Sequence, residues 1–231
     1  MKTNSCIYLV SPSPIFNLNE TPIFENFDIT NSVRLYSALF FNHKENIDII
    51  NKNFSTVFCF DHKDKDFIPP EINILQAEIF CDTSKEIEAF KILAEKYFSS
   101  YTNNLIIFLP SIGISSSEIN KIFNLLEMDD EAIVIGKSTE NKVVFIGFNK
   151  YNKEIFENIN CKENNFESLL ALANKHDNFV HVMGNYIFLK NINDFKQLYV
   201  ELGKKESWAY CSQIMHEQFT HLFIEYKDAL K

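Results

Sequence analysis

Short apolar runs alternate with longer amphipathic stretches along most of this chain, and no other feature limits its architecture more. The runs read as strands at Cys6–Val10, Thr56–Phe60, Ile72–Leu75, Leu105–Leu109, Ala132–Ile135, Val143–Ile146 and Phe179–Val182. Between them, residues 31–52, 84–100, 116–127, 152–159 and 164–176 carry helical spacing. Parallel strands need long crossovers, and helices of this length between strands define βαβ units. Leu105-Ile106-Ile107-Phe108-Leu109 is apolar at every position, as a central strand covered on both faces should be. The pattern predicts a three-layer α/β/α domain around a mixed, mostly parallel sheet.

Local signals refine this outline. Ser115-Ser116-Ser117-Glu118 offers a capping serine before the stripe Ile119, Ile122, Phe123 and Leu126, and Asp82-Thr83-Ser84-Lys85-Glu86 does the same before Ile87, Phe90 and Leu93. Pro69-Pro70 breaks the chain ahead of the strand expected at Ile72. Gly136 and Gly147 bracket a hairpin whose turn is Ser138–Lys142. Beyond Leu189 the pattern is helical to the end. Trp208, Cys211, Met215, Phe219, Leu222, Tyr226 and Leu230 recur at spacings of three and four. We therefore expect one domain over residues 1–200 and a C-terminal helical extension over 201–231. That helix packs on the domain's own core, or joins a homodimer or a partner protein.

Charge and composition exclude several functions. The net charge is −9 and Arg34 is the only arginine, so nucleic acid, which is bound through clustered cations, is not an expected partner. No apolar run approaches the roughly 20 residues that span a bilayer. The five cysteines are dispersed, without a Cys-x-x-Cys pair, which fits a reducing cytoplasm and no structural zinc. His216 and His221 are five residues apart, about 140° around a helix, whereas zinc-binding helices place their histidines four apart. His43, His62 and His176 stand in polar surroundings and are expected at the surface, with His181 a structural histidine in a strand. There is no Gly-x-Ser-x-Gly, and the first glycine is Gly113. The loop after the first strand thus lacks the glycines of dinucleotide and P-loop phosphate sites.

Four segments carry a resemblance. The first strand leads into Ser11-Pro12-Ser13-Pro14-Ile15-Phe16-Asn17-Leu18-Asn19-Glu20, and the central strand ends in Leu109-Pro110-Ser111-Ile112-Gly113-Ile114-Ser115. The hairpin reads Gly136-Lys137-Ser138-Thr139-Glu140-Asn141-Lys142-Val143-Val144-Phe145-Ile146-Gly147-Phe148, and Asn191-Ile192-Asn193-Asp194-Phe195-Lys196-Gln197-Leu198 follows the last strand. In order and spacing, from about residue 5 to residue 198, the chain resembles the glycosyltransferase A-type fold. Within it, the chain is similar to a small bacterial family of glycosyltransferase-like proteins related to 2-phospholactate guanylyltransferase. The family's first loop is Ala-Pro-x-Pro-Gly followed by Lys-Thr-Arg; both prolines are kept, while Leu18 and Glu20 stand where cations would meet a nucleotide's phosphates. Ser111 replaces the aspartate that holds a divalent cation. Glu140 replaces the hairpin aspartate, and Asn141-Lys142 the glycine pair. Asn191 and Asn193 replace two carboxylates of Asp-Val-Asp-Thr-Pro-Glu-Asp-Leu.

The resemblance implies a divergent nucleotide-sugar or nucleotidyl transferase-like protein with degenerate phosphate- and metal-binding motifs. The alternative is a catalytically inactive relative serving as a binding or protein-interaction module. A nucleotide or nucleotide sugar is the implied ligand, with Mg²⁺ or Mn²⁺ only if the chain is an active transferase. Ser11, Ser111, Asn191 and Asn193 are the candidate substrate-binding residues, and Glu140 and Asp194 the candidate catalytic ones. No residue is assigned to a metal.

Overall fold

The computed structural model describes residues 4–50, 54–72, 77–82, 87–157 and 165–230. In chain order its elements are β1 (Ser5–Val10), α1 (Ile29–Asp48), β2 (Phe54–Asp61), β3 (Ala77–Cys81), α2 (Ile87–Leu93), β4 (Asn103–Phe108), β5 (Ser111–Ile112), α3 (Ser116–Met128), β6 (Ala132–Ser138), β7 (Val143–Phe148), α4 (Lys153–Glu157), α5 (Phe166–Lys175), β8 (Phe179–Phe188), α6 (Ile192–Leu202) and α7 (Gln213–Glu225). The strands form one sheet in the order β3-β2-β1-β4-β7-β6-β8-β5. Strands β1, β2, β3, β4, β6 and β8 run one way, with β7 and β5 reversed. The expected mixed, mostly parallel sheet is what the chain forms.

Helices α1, α3 and α7 pack together as one layer, and α2, α4 and α5 as the other. Between them every residue of β1, β4 and β7 is buried, which is why these strands read as unbroken apolar runs. Aromatic rings fill both interfaces. Phe123 of α3 stacks on Phe54 with centroids 4.6 Å apart, and on the other side Phe98, Phe148 and Phe156 meet at 4.4–5.5 Å. Tyr8 of β1 keeps its hydroxyl satisfied by donating to Asn104 Oδ1 at 2.8 Å. The hairpin glycines answer to this packing. A Cβ on Gly136 would lie 2.1 Å from the Phe145 ring, and one on Gly147 would lie 3.0 Å from Ile122 Cγ2.

Several boundaries differ from the sequence reading. Strand β3 lies at Ala77–Cys81; the strand expected at Ile72–Leu75 falls, apart from Ile72, outside the described residues, as does the capping stretch expected over 82–86, apart from Asp82. Strand β8 continues to Phe188, past a register shift opposite Gly136 and Lys137 and past Gly184 at φ +44°. That bulge, together with the polar Asn185, interrupts the alternation that would have revealed the strand's full length. Strand β5 is two residues long, too short to show a period.

The C-terminal stripe is not one helix. Helix α6 ends at Leu202, a 3₁₀ turn spans Lys205–Ala209, and α7 begins at Gln213 under the Ser212 cap. Cys211, Met215, Phe219 and Leu222 are buried in the core shared with β1, while Trp208 is 58% exposed and stacks on His216. Among the described residues no helix is long and apolar enough to cross a membrane.

His43 departs furthest from expectation. Its neighbours in sequence are polar, but it lies on the inner face of α1 and is 1% exposed. Its Nε2–H donates to the Ser111 carbonyl at 2.8 Å, and burial lowers its pKa to about 4.

Candidate functional site

In an open α/β sheet, ligands settle outside the C-terminal ends of the strands where the strand order reverses. Here that point lies between β1 and β4, which carry β2 and β7 on their outer sides. Four loops converge on this edge: residues 11–28 after β1, the turn after β2, Leu109–Ser115 after β4, and Leu189–Asn191 after β8.

The loop after β1 is folded inward and fastened. Ser11 donates its N–H to the Cys59 carbonyl and its hydroxyl to the Ser13 carbonyl. The next stretch is held from the turn after β2. Asp64, in the single 3₁₀ turn His62–Asp64, lies wholly buried and accepts three consecutive main-chain N–H groups: Ile15 on Oδ2 at 2.8 Å, Phe16 on Oδ1 at 2.9 Å and Asn17 on Oδ1 at 3.0 Å. Burial pushes its carboxyl above the usual carboxylate range in spite of these three donors, which favour the charged form. The same turn makes two further ties, Asn17 Nδ2–H to the Lys63 carbonyl at 2.8 Å and Lys63 Nζ to Glu20 at 2.7 Å. The Phe16 ring packs edge-on to Phe40 and near Phe60.

Beyond Phe16 the loop is braced again. Phe24 and Phe27 meet the Phe195 ring of α6, and Phe27 lies flat on Tyr226 at 3.8 Å. Glu25 accepts the N–H of Ile192 in the first turn of α6, where a carboxylate is favoured by the helix dipole.

The remaining candidates take up different stations. Ser111 is fully buried, its hydroxyl donating to the Phe108 carbonyl at 2.6 Å and lying 3.2 Å from His43 Nε2. Asn191 caps α6 by accepting the N–H groups of Asn193 and Asp194. Asp194, 4% exposed, completes that cap by accepting the N–H groups of Lys190 and Asn191 on Oδ2. Asn193 is exposed on the first turn of α6, and Glu140 is exposed at the tip of the β6–β7 hairpin, beside Asn141 at φ +58°. Asn191, Asn193 and Asp194 thus share one helix start, Ser11 and Ser111 lie inside the two strand ends, and Glu140 stands on its own loop.

A divalent cation asks for charged oxygens free to face it. Where the resemblance implies one, Ser111 offers a hydroxyl already donating inward, Asn193 a neutral amide, and Asp194 a carboxylate that serves the α6 cap. These groups do not fit a Mg²⁺ or Mn²⁺ site. A different set does approach one another at the ends of β2 and β3. Asp61, His62 and Asp82 each present a ligand atom within 4.8 Å of the others, with Asp61 buried, Asp82 partly buried and His62 exposed. The sequence signal was faint, because Asp61-His62-Lys63-Asp64-Lys65-Asp66 reads as a solvated charged loop, and only the parallel pairing of β2 with β3 brings Asp82 to it.

Fold and strand-end geometry define the class: a nucleotide-diphospho-sugar transferase fold. The chain superposes on a candidate nucleotide-diphospho-sugar transferase from Desulfovibrio desulfuricans G20 with a TM-score of 0.74 and 15% identity, over 97% of this chain and 98% of that one. It also matches the Rv0371c protein of Mycobacterium tuberculosis H37Rv in complex with manganese, at a TM-score of 0.52 and 6% identity over 85% and 98% of the two chains. A cytidylyltransferase from Leptospira borgpetersenii matches at a TM-score of 0.50 and 8% identity over 100% and 97%. No protein-family model matches the sequence. No curated protein matches it either.

Proposed function

We propose that this chain is a relative of the nucleotide-diphospho-sugar transferases that binds a nucleotide or nucleotide sugar at its strand-end edge without transferring a group. One observation carries the reading: Ser111, which replaces the cation-holding aspartate of the resemblance, and the catalytic candidate Asp194 are spent on the chain's own main chain, Ser111 on the Phe108 carbonyl and Asp194 on the start of α6. Fold alone does not bring activity, which depends on the groups in the site. The cytoplasmic location rests on the dispersed cysteines alone.

Calorimetric titration with nucleoside diphosphates and nucleotide sugars, with and without Mn²⁺, tests this. Saturable binding is expected, with the ligand recovered intact after long incubation. Turnover of any ligand would overturn the reading, as would the absence of binding to all of them at millimolar concentration.

A second reading keeps the chemistry and moves the metal. Asp61, His62 and Asp82 would hold a divalent cation that draws a nucleotide's phosphates to the ends of β2 and β3. The closeness of the three ligand atoms favours it. Manganese binding seen by electron paramagnetic resonance, lost in Asp82→Asn, together with product formation, would establish this version in place of the first.

A further inference from the structure

Away from the strand-end edge, α2 and α4 face each other on the layer opposite α1. Between them lies an open cleft of about 490 Å³, within the roughly 300–1,000 Å³ of small-molecule sites. Its walls are aromatic. Phe90 of α2 and Phe156 of α4 are buried with ring centroids 6.5 Å apart, and Phe90 is backed by Phe108 of β4 at 5.9 Å. Tyr151 stacks on Phe156 at 5.3 Å and is 38% exposed, so it forms the outer wall. Ala94, the smallest residue of the lining, stands where α2 passes into a single π turn, Ala94–Phe98. Such turns are frequent at functional sites.

The charged members of the lining, Lys91, Glu95 and Lys153, are all exposed. Lys91 and Glu95 are four residues apart, a helical spacing at which opposite charges pair. Among the described residues neither makes an ion pair, which leaves one cation and one carboxylate open at the mouth of an aromatic cleft. We propose that this cleft binds a free aromatic α-amino acid, its ring among Phe90, Phe156 and Tyr151, its carboxylate on Lys91 and its ammonium on Glu95. A ring among rings takes edge-to-face or offset contacts at about 4.5–7 Å, the distances at which these walls already meet. An aliphatic side chain would fill the space without such contacts. An aromatic acid or an aromatic amine would leave one of the two rim charges unmatched. Lys153, on the α4 side, puts one positive charge in excess, which favours a ligand that carries a carboxylate. This site and the nucleotide reading above do not depend on each other.

Calorimetric titration of the whole chain with L-phenylalanine tests the proposal. Phenylpropionate and phenethylamine serve as probes that lack the ammonium and the carboxylate. Saturable binding of phenylalanine is expected, with each probe about threefold weaker, the size of one exposed charge pair. Free leucine should not compete. Ala94→Leu puts a branched side chain into the cleft and should abolish binding. Glu95→Gln should weaken phenylalanine about threefold while leaving phenylpropionate unchanged. Glu95 is exposed on its helix, so this variant decides the matter if Ala94→Leu does not fold. The proposal is overturned if phenylalanine does not bind at millimolar concentration, or binds folded Ala94→Leu as it binds the wild type. Undiminished affinity in Glu95→Gln overturns it too, as does leucine or phenylpropionate binding as tightly as phenylalanine.

Discussion

At the scale of single residues, the chain's polar positions mostly serve its own interior. His43 shows this best, since one ring nitrogen donates to the Ser111 carbonyl and burial holds the ring neutral. The unfolded chain protonates near 6.5 and the folded one near 4, so between these values the unfolded state binds more protons. Stability therefore rises with pH across that window and is lost as pH falls through it, by an amount on the order of 3 kcal/mol. Urea unfolding followed from pH 7.5 to 4 should show this slope, and His43→Gln should remove most of it. None of this was legible in Phe41-Asn42-His43-Lys44-Glu45, where the sequence shows polar company and the helix turns Asn42 and His43 inward. The hairpin glycines carry a second meaning. They are the strongest part of the resemblance, yet Gly136 and Gly147 make room for Phe145 and Ile122, a demand of packing that spacing alone does not separate from the needs of a substrate.

At the scale of elements, the helix starts were the easiest features to read. Ser115 forms a capping box with Glu118, as its position before the apolar stripe implied. The same logic explains Asn191 and Asp194, where the resemblance drew attention to lost charge and the local chemistry of a cap was the more immediate use. Asn191→Ala removes an acceptor for two N–H groups and should cost about 1 kcal/mol, measurable as a lower urea midpoint with an unchanged slope. Nucleotide binding should persist in that variant if the cap is its only role. Strands were legible where both faces are buried, as in β1, β4 and β7, and were cut short where a bulge breaks the period, as in β8. Asp64 was out of reach of sequence reasoning altogether, because its partners stand 47 to 49 residues away, with α1 and β2 between.

At the scale of the whole molecule, α7 packs on α1 within one helical layer. Met215, Phe219, Leu222 and Phe223 are all buried, and at roughly 1.5–3 kcal/mol for each such side chain their loss rivals the 5–15 kcal/mol that holds a typical domain together. A chain ending at Cys211 should therefore lose its near-ultraviolet dichroism and bind hydrophobic dyes. Retention of a sharp unfolding transition would show that α7 is an accessory. The layered architecture followed from the alternation of apolar runs, while the break of the C-terminal stripe into a 3₁₀ turn and a helix did not, because a spacing of three or four continues across both. That break has an optical consequence. The chain's sole tryptophan, Trp208, lies over the imidazole of His216 in the first turn of α7, and a protonated imidazole quenches the light emission of an indole beside it. The molecule therefore carries its own lamp and shutter at the seam between the last helix and the rest.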